Sequence, residues 1–333
     1  MKRCVLFAAG LFPALAVQMF MFSCSTGGAI EQAFALGGRP PEFLDCKAVS
    51  AAEVVFRFSL PVKVVSIRLD SGIEVVSVDE GSVVTVGLGG DTGAGKRVMA
   101  DMLVEDGKGN TLNVLVPFRT RNERLPPVLL TELRTEYSNP NSEFIEFKTL
   151  SAGNLGALRL FIAGNVKKPL VYEFSPMEVA AGEYILLHLR TMEAEAADET
   201  GGNLDLSGGK DAVAGVRDLW VPGKTKLLRK TDAVYFLDQD DHVVDAVLLS
   251  ENPDSRWSKE HFTAAAELLG SQEAWRAAGG NVPGPQDAVI TAGIKTAMTR
   301  SVSRDEKKAD ANAASDWYVT PVGGISPGKP NSP

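Results

Sequence analysis

Apolar and polar residues alternate with a period of two in several short stretches of the first part of this chain. Val54, Phe56 and Phe58 form one such face, and Val65, Ile67 and Leu69 form another. A third alternating stretch covers residues 112–118, and clusters rich in Asp and Gly separate the stretches at 70–72, 79–81 and 106–110. This period places successive side chains on opposite faces of an extended chain. Short strands with regular turns predict a β-sandwich over residues 41–124.

The same period resumes after Pro126-Pro127, where Leu129, Thr131 and Leu133 alternate with polar and apolar neighbours. Two adjacent prolines cannot donate backbone hydrogen bonds to a sheet, so they predict a linker. A second β-domain is therefore expected over residues 128–333. The fold class that we expect from this pattern is mainly β, with two β-sandwich domains in tandem.

Two stretches interrupt the strand pattern of this second domain. Residues 192–217 are rich in Gly, Asp and Ala and predict a surface loop. Residues 253–298 contain a helical signal, in which Ser258 is a candidate cap for a helix over Lys259 to Leu269. The apolar stripe of that helix consists of Phe262, Ala265, Leu268 and Leu269.

The N-terminus predicts export. Lys2 and Arg3 precede an apolar run over residues 5–22, which is typical of a signal peptide. Cys24 follows in a small, polar segment, and Met21 to Cys24 is similar to a lipobox. We therefore predict a lipoprotein signal peptide over 1–23, a lipid on Cys24 and a flexible tether over 24–40. An uncleaved membrane anchor and simple secretion are the alternatives.

Charge and cysteine content narrow the function classes. The net charge is −8, and no basic stripe with interleaved aromatic residues is present, which disfavours nucleic acid as a partner. Cys4 lies inside the signal, so a lipidated Cys24 leaves Cys46 without a disulfide partner. Cys46 is expected to be a small buried apolar side chain.

A set of short motifs occurs in a fixed order after Pro127. Glu132 is followed by Glu143-Phe144-Ile145-Glu146-Phe147, then by a hairpin pattern over 232–249 that contains Asp245, and the chain closes with Trp317 and Pro327-Gly328-Lys329-Pro330-Asn331. This set resembles a lamin-tail domain, an immunoglobulin-like β-sandwich that bacteria place on exported proteins. The resemblance implies structural roles for the following residues: Glu132, Glu143, Glu146, Asp245, Trp317, Pro327, Gly328 and Asn331. The earlier segment Phe56 to Val62 resembles bacterial immunoglobulin-like repeats. The two resemblances together imply two immunoglobulin-like β-sandwich domains in tandem.

Asp238, Asp240 and Asp241 lie at the tip of the expected hairpin, where the lamin-tail family usually has Asp-Gly. Acidic residues at this spacing suggest a calcium site. An EF-hand needs Gly and Glu at positions that Val243 and Leu249 occupy here, so that motif fails. An irregular calcium site and an ordinary solvated turn both remain open.

Three further patterns suggest catalysis and are disfavoured by their context. The glycine-rich loop over 90–97 is similar to a nucleotide-binding loop, but Arg97 stands where Ser or Thr would hold magnesium. The pattern over 324–328 is similar to a nucleophile elbow, but no helix or histidine follows it. The carboxylates of Glu143 and Glu146 are expected to point to opposite sides of one strand and not to converge.

The sequence leaves two hypotheses for function and predicts no cofactor. The first is a non-catalytic lipoprotein of the cell envelope, anchored to the membrane by its N-terminal lipid, that binds a protein or an envelope component. The second is an exported hydrolase whose site lies in the two insertions. Convergent Asp, Glu and His side chains within residues 192–298 would favour the second.

Overall fold

The computed structural model describes residues 39–70, 72–138, 140–296 and 299–333. The expected signal peptide, Cys24 and nearly all of the tether lie outside the described residues. Strands make up 40% of the structure and helix 7%, so the prediction of a mainly β fold is confirmed. No helix within the described ranges has the length and apolar character that crossing a membrane requires.

The first six strands form one sheet with its own hydrophobic core. They are β1 (Phe43–Ser50), β2 (Glu53–Leu69), β3 (Glu74–Asp79), β4 (Gly81–Gly89), β5 (Arg97–Asp106) and β6 (Thr111–Arg119), in the order β3-β4-β2-β5-β6, with β1 also paired to β2. Strand β2 is long enough to pair with three strands, because its first half pairs with β1 and β4 and its second half with β5. Val54, Phe56 and Phe58 are buried, as their alternation predicts.

A strand bulge changes the expected face of β2 near Val65. The register of β2 against β5 shifts between Val64 and Ser66, and Val65 is 50% exposed instead of facing the core. The glycine-rich loop, residues 90–96 of the structure, connects β4 to β5, which flank β2 on opposite sides.

The remaining strands build a two-sheet sandwich. They are β7 (Val128–Arg134), β8 (Phe144–Thr149), β9 (Gly153–Asn154), β10 (Arg159–Ile162), β11 (Leu170–Glu173), β12 (Glu178–Val179), β13 (Tyr184–His188), β14 (Arg217–Trp220), β15 (Asp232–Leu237), β16 (Val243–Ser250), β17 (Val289–Ile290), β18 (Val302–Arg304) and β19 (Trp317–Val319). One sheet has the order β14-β13-β8-β7-β18-β19 and the other the order β11-β10-β15-β16-β17. Strands β9 and β12 form a separate pair.

The main core of this sandwich draws side chains from both sheets. Ile145 and Phe147 of β8 belong to the same buried cluster as Phe236 of β15 and Val247 of β16. A register shift between Leu130 and Glu132 in β7 changes the expected face, so that Leu130 joins Leu133 in this core and Leu129 and Thr131 do not belong to it. The hairpin predicted over 232–249 is present as the antiparallel pair β15 and β16.

The helical insertion is confirmed as α1 (Glu260–Ser271), and its Phe262, Ala265 and Leu269 are buried against the sandwich. Its N-cap residue is Lys259, which makes no side-chain capping bond, so the expected cap at Ser258 is wrong. Helix α1 contacts β15 and β16 of the sandwich.

Candidate functional site

Two buried glutamates lie side by side on the sandwich. Glu132 on β7 pairs directly with Glu146 on β8, and both residues are fully buried. Glu132 accepts hydrogen bonds from the Ser301 hydroxyl and from the backbone N–H of Ser326, the latter at 3.2 Å. Burial raises the pKa of Glu132 above its usual value. The first member of the predicted motif therefore bonds to the chain end.

Glu146 bonds to the same segment of the chain. It accepts hydrogen bonds from the Thr131 hydroxyl at 2.7 Å and from the backbone N–H of Gly328. Burial raises the pKa of Glu146 to about 8, although the Gly328 hydrogen bond acts in the opposite direction. A methyl group in place of a Gly328 hydrogen would lie 2.2 Å from a methyl of Val216, so no larger side chain fits at Gly328.

Residues 326–331, which we call the C-terminal strap, are fixed at their far end as well. The backbone N–H of Asn331 donates to Glu306 at 2.8 Å, and the Asn331 amide donates to the carbonyl of Thr131 at 3.1 Å. Pro327 lies within the strap and is half-buried. Glu132, Glu146 and Glu306 thus each accept a hydrogen bond from one backbone N–H of the C-terminal strap. Their oxygens are therefore used in structural hydrogen bonds.

Asp245 forms a buried ion pair that joins the two sheets. Both of its oxygens lie 3.0–3.1 Å from the Arg304 guanidinium, and one also accepts from the backbone N–H of Leu130 at 2.6 Å. The side chains of Asp245 and Arg304 are each 3% exposed. Burial raises the pKa of Asp245 to about 6, and the Arg304 charge opposes that rise.

Trp317 covers this ion pair from the edge strand β19. The Arg304 guanidinium lies 4.6 Å from the centre of the Trp317 ring, a cation–π geometry. Trp317 is 7% exposed and belongs to the main core. Within the described residues its indole N–H has no hydrogen-bond partner, so the partner that a buried Trp usually finds is missing.

Glu143 is separate from the glutamate pair. It accepts a hydrogen bond from the backbone N–H of Leu227 at 2.8 Å and lies 3.0 Å from the Nε of Arg190. Glu143 precedes β8, and the neighbouring Phe144 belongs to a small cluster on the outer face with Leu186 and Val216. Glu143 and Glu146 therefore do not form a catalytic pair.

The hairpin tip carries the three aspartates proposed as a calcium site. Asp240 is paired with Arg121, with one contact at 2.8 Å, and with Lys47 at 2.6 Å. Asp241 pairs with Arg159 at 2.8 Å and has a φ of 64°, the conformation that Gly usually takes at this position. The Arg121 hydrogen bond lowers the pKa of Asp240.

The oxygens that approach one another at the tip belong to Asp238 and Asp240, with the ring of His242 as the third potential ligand in place of Asp241. Asp238 already accepts from the backbone N–H groups of Asp240 and His242. A cation at this tip would compete with Arg121 and Lys47 for Asp240. The geometry fits an ion pair between the hairpin tip and the part that contains the first sheet better than a metal site.

A histidine and two aspartates do converge at the first insertion. The Nε2 atom of His188 is hydrogen-bonded to the carboxylate of Asp218 at 2.7 Å. Its Nδ1 atom lies 3.7 Å from the carboxylate of Asp211. Burial alone would lower the pKa of His188, but the two carboxylates outweigh it and raise the pKa. His188 is fully buried and stacks on Trp220 at 3.8 Å, so no substrate reaches it.

The residues that sequence reasoning missed are cations. Arg304, Arg121 and Arg134 occupy buried or interfacial positions, where each pairs with an aspartate. An arginine inside a short alternating stretch is normally expected on the solvent face, so Arg304 in Val302-Ser303-Arg304 gave no local signal. Only its partner on a distant strand defines its role.

The fold and these contacts define a mainly β protein with a sandwich whose buried acids serve as internal hydrogen-bond acceptors. The chain belongs to the family described as "TP_1001_2nd: protein second domain", whose model matches residues 126–319. The matched region begins at Pro126 and covers nearly the whole sandwich.

A relative from Treponema pallidum (strain Nichols), described as an uncharacterized protein, is 24% identical over 233 residues. The match covers 68% of this chain and 58% of the relative. Among solved structures, the N-terminal part of the bacterial S-layer protein SbsC matches with a TM-score of 0.24 and 16% identity, covering 70% of this chain and 49% of that chain. A TM-score this low carries no argument about fold or function.

Proposed function

We propose that this protein is a non-catalytic component of a bacterial cell envelope, held on a membrane by a lipid on Cys24. In this proposal residues 24–40 are a tether, 41–124 form a bacterial immunoglobulin-like domain and 128–333 form a lamin-tail-like domain. The two domains bind a protein or an envelope component. Nucleic acid is disfavoured as a partner because the chain carries a net charge of −8.

One observation carries the non-catalytic part of the proposal. The buried acids Glu132, Glu146 and Asp245 are saturated by backbone N–H groups, hydroxyls and an arginine. A general acid or base must reach a substrate proton within hydrogen-bond distance. These carboxylates face the C-terminal strap and the sheet seam, which leaves them no access to a ligand.

The lamin-tail assignment is supported by the way the motifs meet. Glu132 and Glu146 lie on adjacent strands and accept hydrogen bonds from the backbone of Ser326, directly before the Pro-Gly-x-Pro-Asn end, and of Gly328 within it. Motifs that are separated by nearly two hundred residues are therefore hydrogen-bonded to one another, as expected if they belong to one family signature.

Detergent phase partition of cell extracts tests the envelope anchor. The unmodified protein and a Cys46→Ala control should enter the detergent phase, because both keep the acceptor cysteine. Cys24→Ala should accumulate as the longer precursor without lipid. A Cys24→Ala protein that is processed and partitions like the control would refute the anchor.

A further inference from the structure

A cleft of about 530 Å³ opens where the segment before β15 faces the start of α1. Five of its lining residues can carry positive charge: Lys226, Arg229, Lys230, Lys259 and His261. Its two acids, Glu136 and Glu251, are each neutralised, by Lys226 at 2.7 Å and by Lys230 at 2.5 Å. The cleft is therefore cationic on a protein whose net charge is negative.

Two of the cations remain available to a ligand. Arg229 and Lys259 are exposed, and no carboxylate of the described residues lies within ion-pair distance of either side chain. They come from segments thirty residues apart in the sequence, yet they line one cleft with the half-buried ring of His261. Two unpaired cations that converge from separate segments are the arrangement that an anion requires.

The segment that carries Arg229 is fixed in place through its backbone. Leu228 is fully buried in the main core, and the N–H of Arg229 donates to Asp232 at 3.2 Å. The carbonyl of Lys230 accepts from Thr291 at 2.7 Å. A fixed backbone holds the attachment point of the Arg229 side chain in place, so binding does not have to order the backbone.

The opposite side of the cleft is fixed as well. The indole N–H of Trp257 donates to the carbonyl of Pro283 at 2.9 Å, and its ring lies 5.9 Å from that of Phe262, a residue buried against the sandwich. These contacts set the position of Lys259 relative to Arg229. The first N–H groups of α1, which has no side-chain cap, add positive potential at the same side.

We infer that this cleft binds the phosphate group of an envelope component, a phosphate ester carried either by a soluble molecule or by a lipid headgroup. The inference rests on the proposed binding function and names the chemistry of the ligand. A guanidinium beside an ammonium group matches a phosphate in both charge and hydrogen-bond geometry. The volume of the cleft exceeds that of a phosphate alone and leaves room for the group that the phosphate is attached to.

The test is a titration of the purified full chain with inorganic phosphate, followed by NMR shifts of the amides of residues 259–262 and of the Arg229 side chain. We expect saturable shifts at these positions. The double variant Arg229→Ala/Lys259→Ala should weaken binding roughly tenfold or more, because it removes two charge-assisted contacts. Its thermal midpoint should match that of the unmodified protein, since both side chains are exposed.

The matched control is Lys63→Ala/Arg68→Ala, which removes the same charge from an exposed strand of the first sheet. It should change the affinity by less than about twofold, a long-range charge effect that salt screens. Equal weakening by both double variants would overturn the inference. Failure of the Cys24 experiment would leave this test unaffected, because phosphate is added in solution.

Vesicles identify the source of the phosphate. Binding to phosphatidylglycerol vesicles but not to phosphatidylcholine vesicles, lost in Arg229→Ala/Lys259→Ala, supports a lipid headgroup. Saturable binding of inorganic phosphate without vesicle binding supports a soluble ester. Absence of both contradicts the inference.

Discussion

Three buried carboxyl groups of the sandwich bind their protons more tightly in the folded protein than in the unfolded chain. Burial raises the pKa of Glu146 to about 8, that of Asp232 to about 7 and that of Asp245 to about 6. In each case the loss of hydration is the largest cause, and hydrogen bonds or a nearby cation oppose it. The folded protein therefore binds more protons than the unfolded chain across mildly acidic and neutral pH.

The stability of the sandwich should consequently fall as the pH rises. A carboxyl group with a raised folded pKa contributes its full share below its unfolded pKa and loses that share as the pH passes the folded value. The free energy of unfolding in urea should be higher at about pH 5 than at about pH 8.5. Glu146→Gln should reduce this difference, whereas Glu74→Gln, at an exposed position of β3, should leave it unchanged. A stability that rises over this interval would contradict the burial argument.

Arg304 is the cation on which the seam between the two sheets depends. Arg304→Met should lower the free energy of unfolding by about 3–5 kcal/mol, because it leaves the Asp245 carboxylate buried without its partner. The double variant Arg304→Met/Asp245→Asn should recover part of that loss. Arg68→Ala, which removes an ion pair whose arginine is 84% exposed, should cost less than about 1 kcal/mol. If the two arginine variants lowered the free energy of unfolding equally in chemical denaturation, the stability of the seam would not depend on Arg304.

At the scale of elements, edge strand β19 holds the end of the sandwich through one aromatic side chain. Trp317→Ala should cost about 3–5 kcal/mol, since Trp317 is buried in the main core and covers Arg304. Tyr318→Ala on the same strand should cost less, because Tyr318 is only half-buried. Thermal unfolding of both variants distinguishes these outcomes. A Trp317 that is accessible to fluorescence quenchers would contradict the assignment.

The period-two pattern predicts many of the strands because it is a local property. It finds the buried face of β2 and the pair β15 and β16, and the helical stripe finds α1. It fails at Val65 and around Thr131, since a bulge shifts the register of one strand against its neighbour and the sequence near the bulge keeps alternating. Bulges depend on the partner strand, which a local pattern does not contain.

In the candidate site, too, the sequence predicts the residues but not their distant contacts. The motif residues Glu132, Glu146 and Asn331 could be named from order and type alone, but their contacts join strands to the chain end across nearly two hundred residues. The sequence around Asp240 suggests a metal ligand. Only the packing of the first sheet against the hairpin tip brings Lys47 and Arg121 to Asp240 as its partners. Partner side chains supplied by distant segments cannot be predicted from the local sequence around a residue.

At the scale of the whole molecule, the first sheet and the sandwich touch through a close backbone contact. A methyl group on Gly95 would lie 2.5 Å from the backbone of Gly156, and Gly95 has a φ of 64°. The side chain of Asn122 donates to the carbonyls of Asn154 and Gly156 at 2.8 and 2.7 Å. The residues before Pro126 are therefore docked on the sandwich and couple the two parts.

Gly95→Ala should separate the two parts without unfolding either. The added methyl group has no space at this contact, whereas Gly107→Ala, in an open turn of the first sheet, meets no atom within 4 Å. Differential scanning calorimetry should resolve a broadened or split transition for Gly95→Ala and an unchanged one for the control. A single unchanged transition in both variants would show that this contact does not couple the parts.

The central claim is that this family member acts at a membrane surface through a lipid on Cys24. Mass spectrometry of the N-terminal peptide, from protein extracted from the producing cells' envelope, tests it most directly. We expect a peptide that begins at Cys24 and carries the added mass of acyl chains. An unmodified N-terminus at another residue would contradict the claim.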